Sequence, residues 1–134
     1  IVDDQKSICT TLAEVIGDEG WDSVAVYSGA QAIEAFKKQR FDLVFLDVWM
    51  DHLNGIEALQ RLKEIDEKVP VVIMSGHGTI ETAVKATKLG AMDYLEKPLS
   101  LEKLITIIEK ISNINLGRAF MKLLFPSNVT ESFE

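Results

Sequence analysis

The chain has 134 residues, 47% of them hydrophobic, with 14 basic against 21 acidic side chains and a formal charge of −7. This length supports one domain with a real core and is short for two, and the composition is that of a globular chain rather than a disordered one. The acidic balance speaks against nucleic-acid binding by this domain, which would need a basic face, and no apolar run approaches the roughly 18 residues of a membrane span.

Ile1-Val2 runs into Asp3-Asp4 and reads as a strand, and the chain is expected to begin inside it, with no basic-then-apolar leader at its start. Residues 5–19 read as a helix, with Ile8, Leu12, Val15 and Ile16 at helical spacing and Gly20 as the stop. Cys9 in that helix is the single cysteine, so no internal disulfide can form. It reads as a small apolar residue of a reduced, cytosolic protein. Val24 and Val26 alternate in a short strand over Ser23–Tyr27. Ser28 opens the next helix, Gln31 completes a capping box, and Ala32, Ile33 and Phe36 form the buried side.

Phe41-Asp42-Leu43-Val44-Phe45-Leu46-Asp47 then gives both faces of a strand something to bury, which fits a central parallel strand. After a loop over 48–53, Asn54 with Glu57 forms a cap-like pair, and Ile56, Leu59, Leu62 and Ile65 point inward from the following helix. Val69–Met74 is the next strand, with Pro70 tolerable near its start. A turn at Gly76-His77-Gly78 leads to a helix opened by Thr79, carrying Ile80, Ala83, Val84 and Thr87 and ended by Gly90. Ala91–Leu95 is a last strand, Lys97-Pro98 a sharp turn, and Ser100 caps a helix with Leu101, Leu104, Ile105, Ile108 and Ile111. Composition shifts near Ser112. Residues 112–134 read as a linker or a helical extension toward an output domain, and Ala119–Phe125 is too apolar for a solvated tail.

Strand and helix alternate five times, which implies βαβ units and a parallel sheet. The expected fold is α/β, a flavodoxin-like doubly wound five-stranded parallel sheet of order 2-1-3-4-5 with helices on both faces. Ligands bind such sheets at the carboxyl ends of the strands. There Asp3, Asp4, Asp47, Ser75 and Lys97 would surround one point. Three carboxylates that close repel one another, and a hard cation such as Mg²⁺ resolves this with oxygen ligands. A lysine and a hydroxyl nearby complete a set able to bind a phosphoryl group, and an aspartate can accept one as an acyl phosphate.

Asp3-Asp4, Leu46-Asp47-Val48-Trp49-Met50, Gly55, Met74-Ser75-Gly76 and Tyr94-Leu95-Glu96-Lys97-Pro98 follow in an order that resembles the receiver domain of bacterial two-component response regulators over residues 1–111. Each motif alone is weak; five in register are strong. Ser75 to Val84 looks further like receivers of sigma-54-dependent transcription activators of the nitrogen-regulation type.

The resemblance implies that Asp47 accepts phosphate from a sensor histidine kinase. It implies Mg²⁺ on Asp4 and Asp47, with Asp3 assisting through water and the Trp49 backbone carbonyl as a further ligand. Lys97 and Ser75 would bind the phosphoryl group, and Ser75 with Tyr94 would form the switch. It implies a cytoplasmic signalling domain rather than an enzyme. A homodimer is expected through the fourth helix, fifth strand and fifth helix, or through the C-terminal extension. The sequence departs from the family at Asp51, where proline is usual, so a less rigid 47–55 loop is expected.

Other readings carry less. A magnesium-dependent phosphatase of the haloacid-dehalogenase type places a second acid two residues after its nucleophile, where this chain has Trp49. A flavodoxin needs a hydroxyl- and glycine-rich loop after the first strand, where this chain has Asp3-Asp4-Gln5-Lys6. A stand-alone receiver without a DNA-binding output stays open, while one working without phosphate is at odds with the intact site. His77 reads as a solvated loop residue, close enough to influence phosphate lifetime, Trp49 as a residue able to restrict water access, His52 as an idle surface residue, and Asn128-Val129-Thr130 as a sequon without meaning in a cytosolic protein.

Overall fold

In a computed structural model, residues 1–48, 55–76 and 80–124 are described, with backbone alone at 80, 82, 83 and 115–124. The elements are α1 (Lys6–Asp18), α2 (Gly29–Lys38), β1 (Val44–Asp47), α3 (Gly55–Ile65), β2 (Val71–Ser75), α4 (Ile80–Lys88), β3 (Asp93–Glu96) and α5 (Leu101–Leu124). Gly20 and Gly90, at φ 86° and 102°, end α1 and α4 in the left-handed conformation that glycine alone adopts freely. Ser28 caps α2 by accepting from the Gln31 amide at 3.2 Å. Gln31 Oε1 in turn accepts from the Tyr27 amide at 2.9 Å, one residue before the position a capping box uses. Ser100 caps α5 by accepting from the Lys103 amide at 3.3 Å.

The three strands form a parallel sheet of order β1-β2-β3, with Asp47 opposite Met74 and Ser75 opposite Glu96. Val2 adds parallel bridges to Leu46 on one side and Val26 on the other. The two N-terminal stretches expected as strands therefore contribute single bridges. Val24 and Tyr27, on the outer stretch, are exposed, so little apolar burial supports a longer ladder there.

Both faces of the sheet are covered. Val44, Leu46, Val71 and Ile73 pack with Ala32 and Phe36 of α2, with Ala58, Leu59 and Leu62 of α3, and with Ala86 of α4. Phe45, Val72, Met74 and Leu95 pack with Leu12 and Ile16 of α1 and with Leu104, Ile107 and Ile108 of α5. This strict alternation explains why β1 and β2 are apolar without a break: neither has a solvated face. Ile65, expected inward, is not, and Val84 of the following helix is also exposed. Ile65 is 44% exposed and Val84 47% exposed. Ile65 closes the last turn of α3, beyond its last buried residue Leu62, and the described part of α4 meets the core through Ala86.

The helix α5 does not stop at the composition shift. It continues through Ile111, its last buried residue among the described side chains, to Leu124. At that exit the Trp21 indole donates to Ser112 Oγ at 2.9 Å, tying the turn after α1 to α5.

Candidate functional site

Asp47 is the last residue of β1 and is buried. Its amide donates to the Val2 carbonyl at 2.9 Å, which fixes the following residues, Asp3 and Asp4, at the same sheet edge. Asp3 is fully buried and Asp4 is exposed. Ligand oxygens of Asp3, Asp4 and Asp47 all lie within 4.8 Å of one another. The convergence read from strand ends is thus present in the fold.

Ser75 closes β2 and is buried, and its carbonyl accepts from the Lys97 amide at 2.9 Å, so β3 delivers Lys97 beside it. The Lys97–Pro98 peptide, at the expected sharp turn, is cis. Lys97 Nζ lies 2.7 Å from Asp3 Oδ2 and 3.3 Å from Asp47 Oδ2, and donates to Gln5 Oε1 at 3.2 Å. The Asp3 contact is an ion pair without the alignment of a hydrogen bond, and Asp3 Oδ2 has no hydrogen-bond donor among the described residues. Asp3 Oδ1 accepts from the Gln5 amide at 2.9 Å, and the Asp3 carbonyl from Cys9 Sγ at 3.4 Å.

Burial alone would lower the Lys97 ammonium. The Asp3 carboxylate 2.7 Å away and the charge of Asp47 outweigh it and hold the group above its ordinary value. Burial, reinforced by the Asp3 charge, pushes the Cys9 thiol up, which keeps it protonated and inert. Tyr94 lies opposite Ile73 in the sheet, half-buried, and its hydroxyl is buried without a hydrogen-bond partner among the described residues.

Gly55 supports the edge from below. A Cβ there would fall on Val48 Cα and the Asp47 carbonyl, so only glycine lets α3 start this close to the strand end. Sequence reasoning placed Gly55 in a motif without this role, and it missed Gln5 and the Cys9 contact. A glutamine at the helix entry, where Ser, Thr, Asp or Asn is favoured, was the available signal for Gln5. The Trp49 carbonyl, Asp51, His52, the Asn54 cap, His77, Thr79 and Asn128–Thr130 lie outside the described residues.

The buried Asp47 carboxylate, the flanking acids and the lysine on a parallel-sheet edge define a class. Residues 1–109 match the response regulator receiver domain, and the chain belongs to that family. The transcriptional regulatory protein ZraR of Escherichia coli is 42% identical over 110 residues, which are 82% of this chain and 25% of that protein. The nitrogen assimilation regulatory protein NtrX of Azorhizobium caulinodans is 38% identical over 126 residues, 92% of this chain and 28% of that one. The crystal structure of the NtrX receiver domain from Brucella abortus superposes with a TM-score of 0.77 at 38% identity, covering 82% of this chain and 93% of that one. The nitrogen-regulation likeness of Ser75 to Val84 agrees with these relatives. The chain spans about a quarter of the length of the curated relatives it matches. Among the described residues no helix is long and apolar enough to cross a membrane.

Proposed function

We propose that this chain is a phosphorylation-activated signalling switch that takes a phosphoryl group on Asp47 from a sensor histidine kinase and controls a transcription-activating output. The observation that carries it is the buried Asp47 carboxylate with the Lys97 ammonium 3.3 Å away and two further carboxylates within 4.8 Å. A carboxylate oxygen of Asp47 bonds to phosphorus as the phosphorus–nitrogen bond of the kinase phosphohistidine breaks, and the imidazole leaves with that electron pair. The product is an acyl phosphate. Asp4 and Asp47, with Asp3 assisting through water and the Trp49 carbonyl that the family resemblance adds, would hold Mg²⁺ through oxygen ligands. When bound, that ion neutralises charge on the transferring group. Lys97 supplies a second positive charge to the phosphoryl oxygens, and Ser75 a hydroxyl donor. Ser75 drawn toward the phosphoryl group would leave space that Tyr94 fills, a local charge biasing a two-state element. The uncompensated Tyr94 hydroxyl fits a side chain poised between two positions.

The same reading takes residues 1–111 as the receiver and 112–134 as an extension toward an output domain. It places the chain in the cytoplasm as a signalling domain, with only self-phosphorylation and dephosphorylation as chemistry. Val2, bridged to both Val26 and Leu46, supports the full strand order 2-1-3-4-5. Exposed Val84 and Leu101 support a homodimer face on α4, β3 and α5. The test is intact mass after incubation with acetyl phosphate. A gain of one phosphoryl group is expected only with Mg²⁺ and not in Asp47→Asn. Equal labelling of that variant would sink the acceptor assignment.

A further inference from the structure

Three oxygens surround the Lys97 ammonium: Asp47 Oδ2 and Gln5 Oε1 accept hydrogen bonds from it, and Asp3 Oδ2 forms an ion pair with it. Two of these belong to the carboxylates that a divalent cation would claim. Two cations that close to the same oxygens repel, so Lys97 must draw back when a metal binds. Gln5 Oε1 is neutral and lies at the exposed rim, so it is the acceptor that stays available to the withdrawn ammonium.

A second observation concerns the helix. Gln5 occupies the N-cap of α1 with an extended backbone, yet its side chain makes no cap hydrogen bond. Ser, Thr, Asp or Asn would cap better. Its backbone amide donates instead to Asp3 Oδ1 at 2.9 Å, which fixes where the side chain starts. The residue therefore forgoes the helix contact and spends its side chain on Lys97.

Resting on the metal and phosphoryl reading above, we infer that Gln5 is a positioning residue for Lys97. It holds the ammonium beside the cluster after a cation displaces it from Asp3 and Asp47, so that Lys97 is in place when the phosphoryl group arrives.

The probes are Gln5→Met, which keeps the length and removes the acceptor, and Gln5→Glu, which restores an acceptor. A hydrogen bond from an exposed ammonium to an amide oxygen corresponds to a factor of about 10. Gln5→Met should lose that factor in the rate of phosphoryl uptake from acetyl phosphate at saturating Mg²⁺, with an unchanged urea midpoint, and Gln5→Glu should recover it. A wild-type rate in Gln5→Met overturns the proposal, and so does a loss that Gln5→Glu fails to recover, since that marks a structural role. A second readout does not need phosphorylation. With Mg²⁺ alone, the ¹⁵Nζ signal of Lys97 should persist in the wild type and broaden away in Gln5→Met; equal signals overturn the proposal. If the wild type itself takes up no phosphoryl group while the signals still differ, the phosphorylation reading fails and the positioning role stands.

Discussion

Lys97 lies closer to Asp3 than to Asp47, 2.7 Å from one carboxylate and 3.3 Å from the other. Asp3 is fully buried, and the Lys97 side chain is 13% exposed. The ammonium thus acts as an internal counter-ion for two buried acids.

Removing one member of a buried pair leaves the other charge uncompensated, at a cost of about 3–5 kcal/mol when the burial is complete. Lys97→Met should therefore lose about 3 kcal/mol of unfolding free energy in urea without metal. Mg²⁺ should return part of the loss by supplying the missing charge. The sign with pH follows from the raised ammonium. Its stabilising effect is fully present below the ordinary lysine range near ~10.4 and is lost as pH climbs through the higher folded value. The gap between wild type and variant should stay constant from neutral pH to about pH 10 and close above it. Identical urea midpoints at pH 7 would remove the counter-ion role.

The site's convergence was legible because parallel strands end on one edge, so Asp3, Asp4, Asp47, Ser75 and Lys97 needed only the order of strands and helices to be brought together. The ion pair was not legible. Sequence gives no sign of which acid is buried, and adjacent Asp3 and Asp4 differ completely in exposure. The central strand was readable from its unbroken apolar run, whereas the stretches at Ile1-Val2 and Ser23–Tyr27 contain strand-like residues but form single bridges. Helical periodicity likewise identified α3 and α4 without showing how far their cover extends. That is why Ile65 and Val84, correctly spaced, face solvent.

Asp4 is the exposed member of the acidic cluster. Its carboxylate is open to a hydrated cation, whereas Asp3 is already engaged by Lys97. Asp4→Asn should weaken Mg²⁺ binding about tenfold, the scale of one charge-assisted contact. The same change should raise metal-free stability by up to ~1 kcal/mol, because a like charge leaves the cluster. Titration calorimetry and urea unfolding check the two halves separately. An unmoved Mg²⁺ midpoint would take Asp4 out of the ligand set.

The Tyr94 hydroxyl is buried without a hydrogen-bond partner among the described residues. A hydroxyl left so carries a desolvation penalty of about 1–3 kcal/mol. Tyr94→Phe should therefore leave the unphosphorylated domain at least as stable as the wild type, with a gain of about 1 kcal/mol in thermal or urea unfolding. A loss of more than about 1 kcal/mol would show that the hydroxyl has a stabilising partner after all.

Where α5 leaves the domain, two separable contributions meet. Ile111 is buried, Ser112 accepts from the Trp21 indole at 2.9 Å, and Ile114 is 44% exposed. The helix then runs on to Leu124. Shortening the chain to end at Ile111 should keep the core intact and remove one partly buried hydrogen bond, lowering stability by about 1 kcal/mol. Ser112→Ala alone should reproduce that loss, which separates the bond from the rest of the extension. A contribution of the extension to assembly is tested separately. Under the proposed switch, sedimentation mass should change in the full chain when beryllofluoride, a stable phosphoryl mimic, is added with Mg²⁺, and should change less in the shortened chain. An assembly state indifferent to the mimic would break the link between phosphorylation and self-association. An equal response in the shortened chain would assign the contact to the face of α4, β3 and α5 alone.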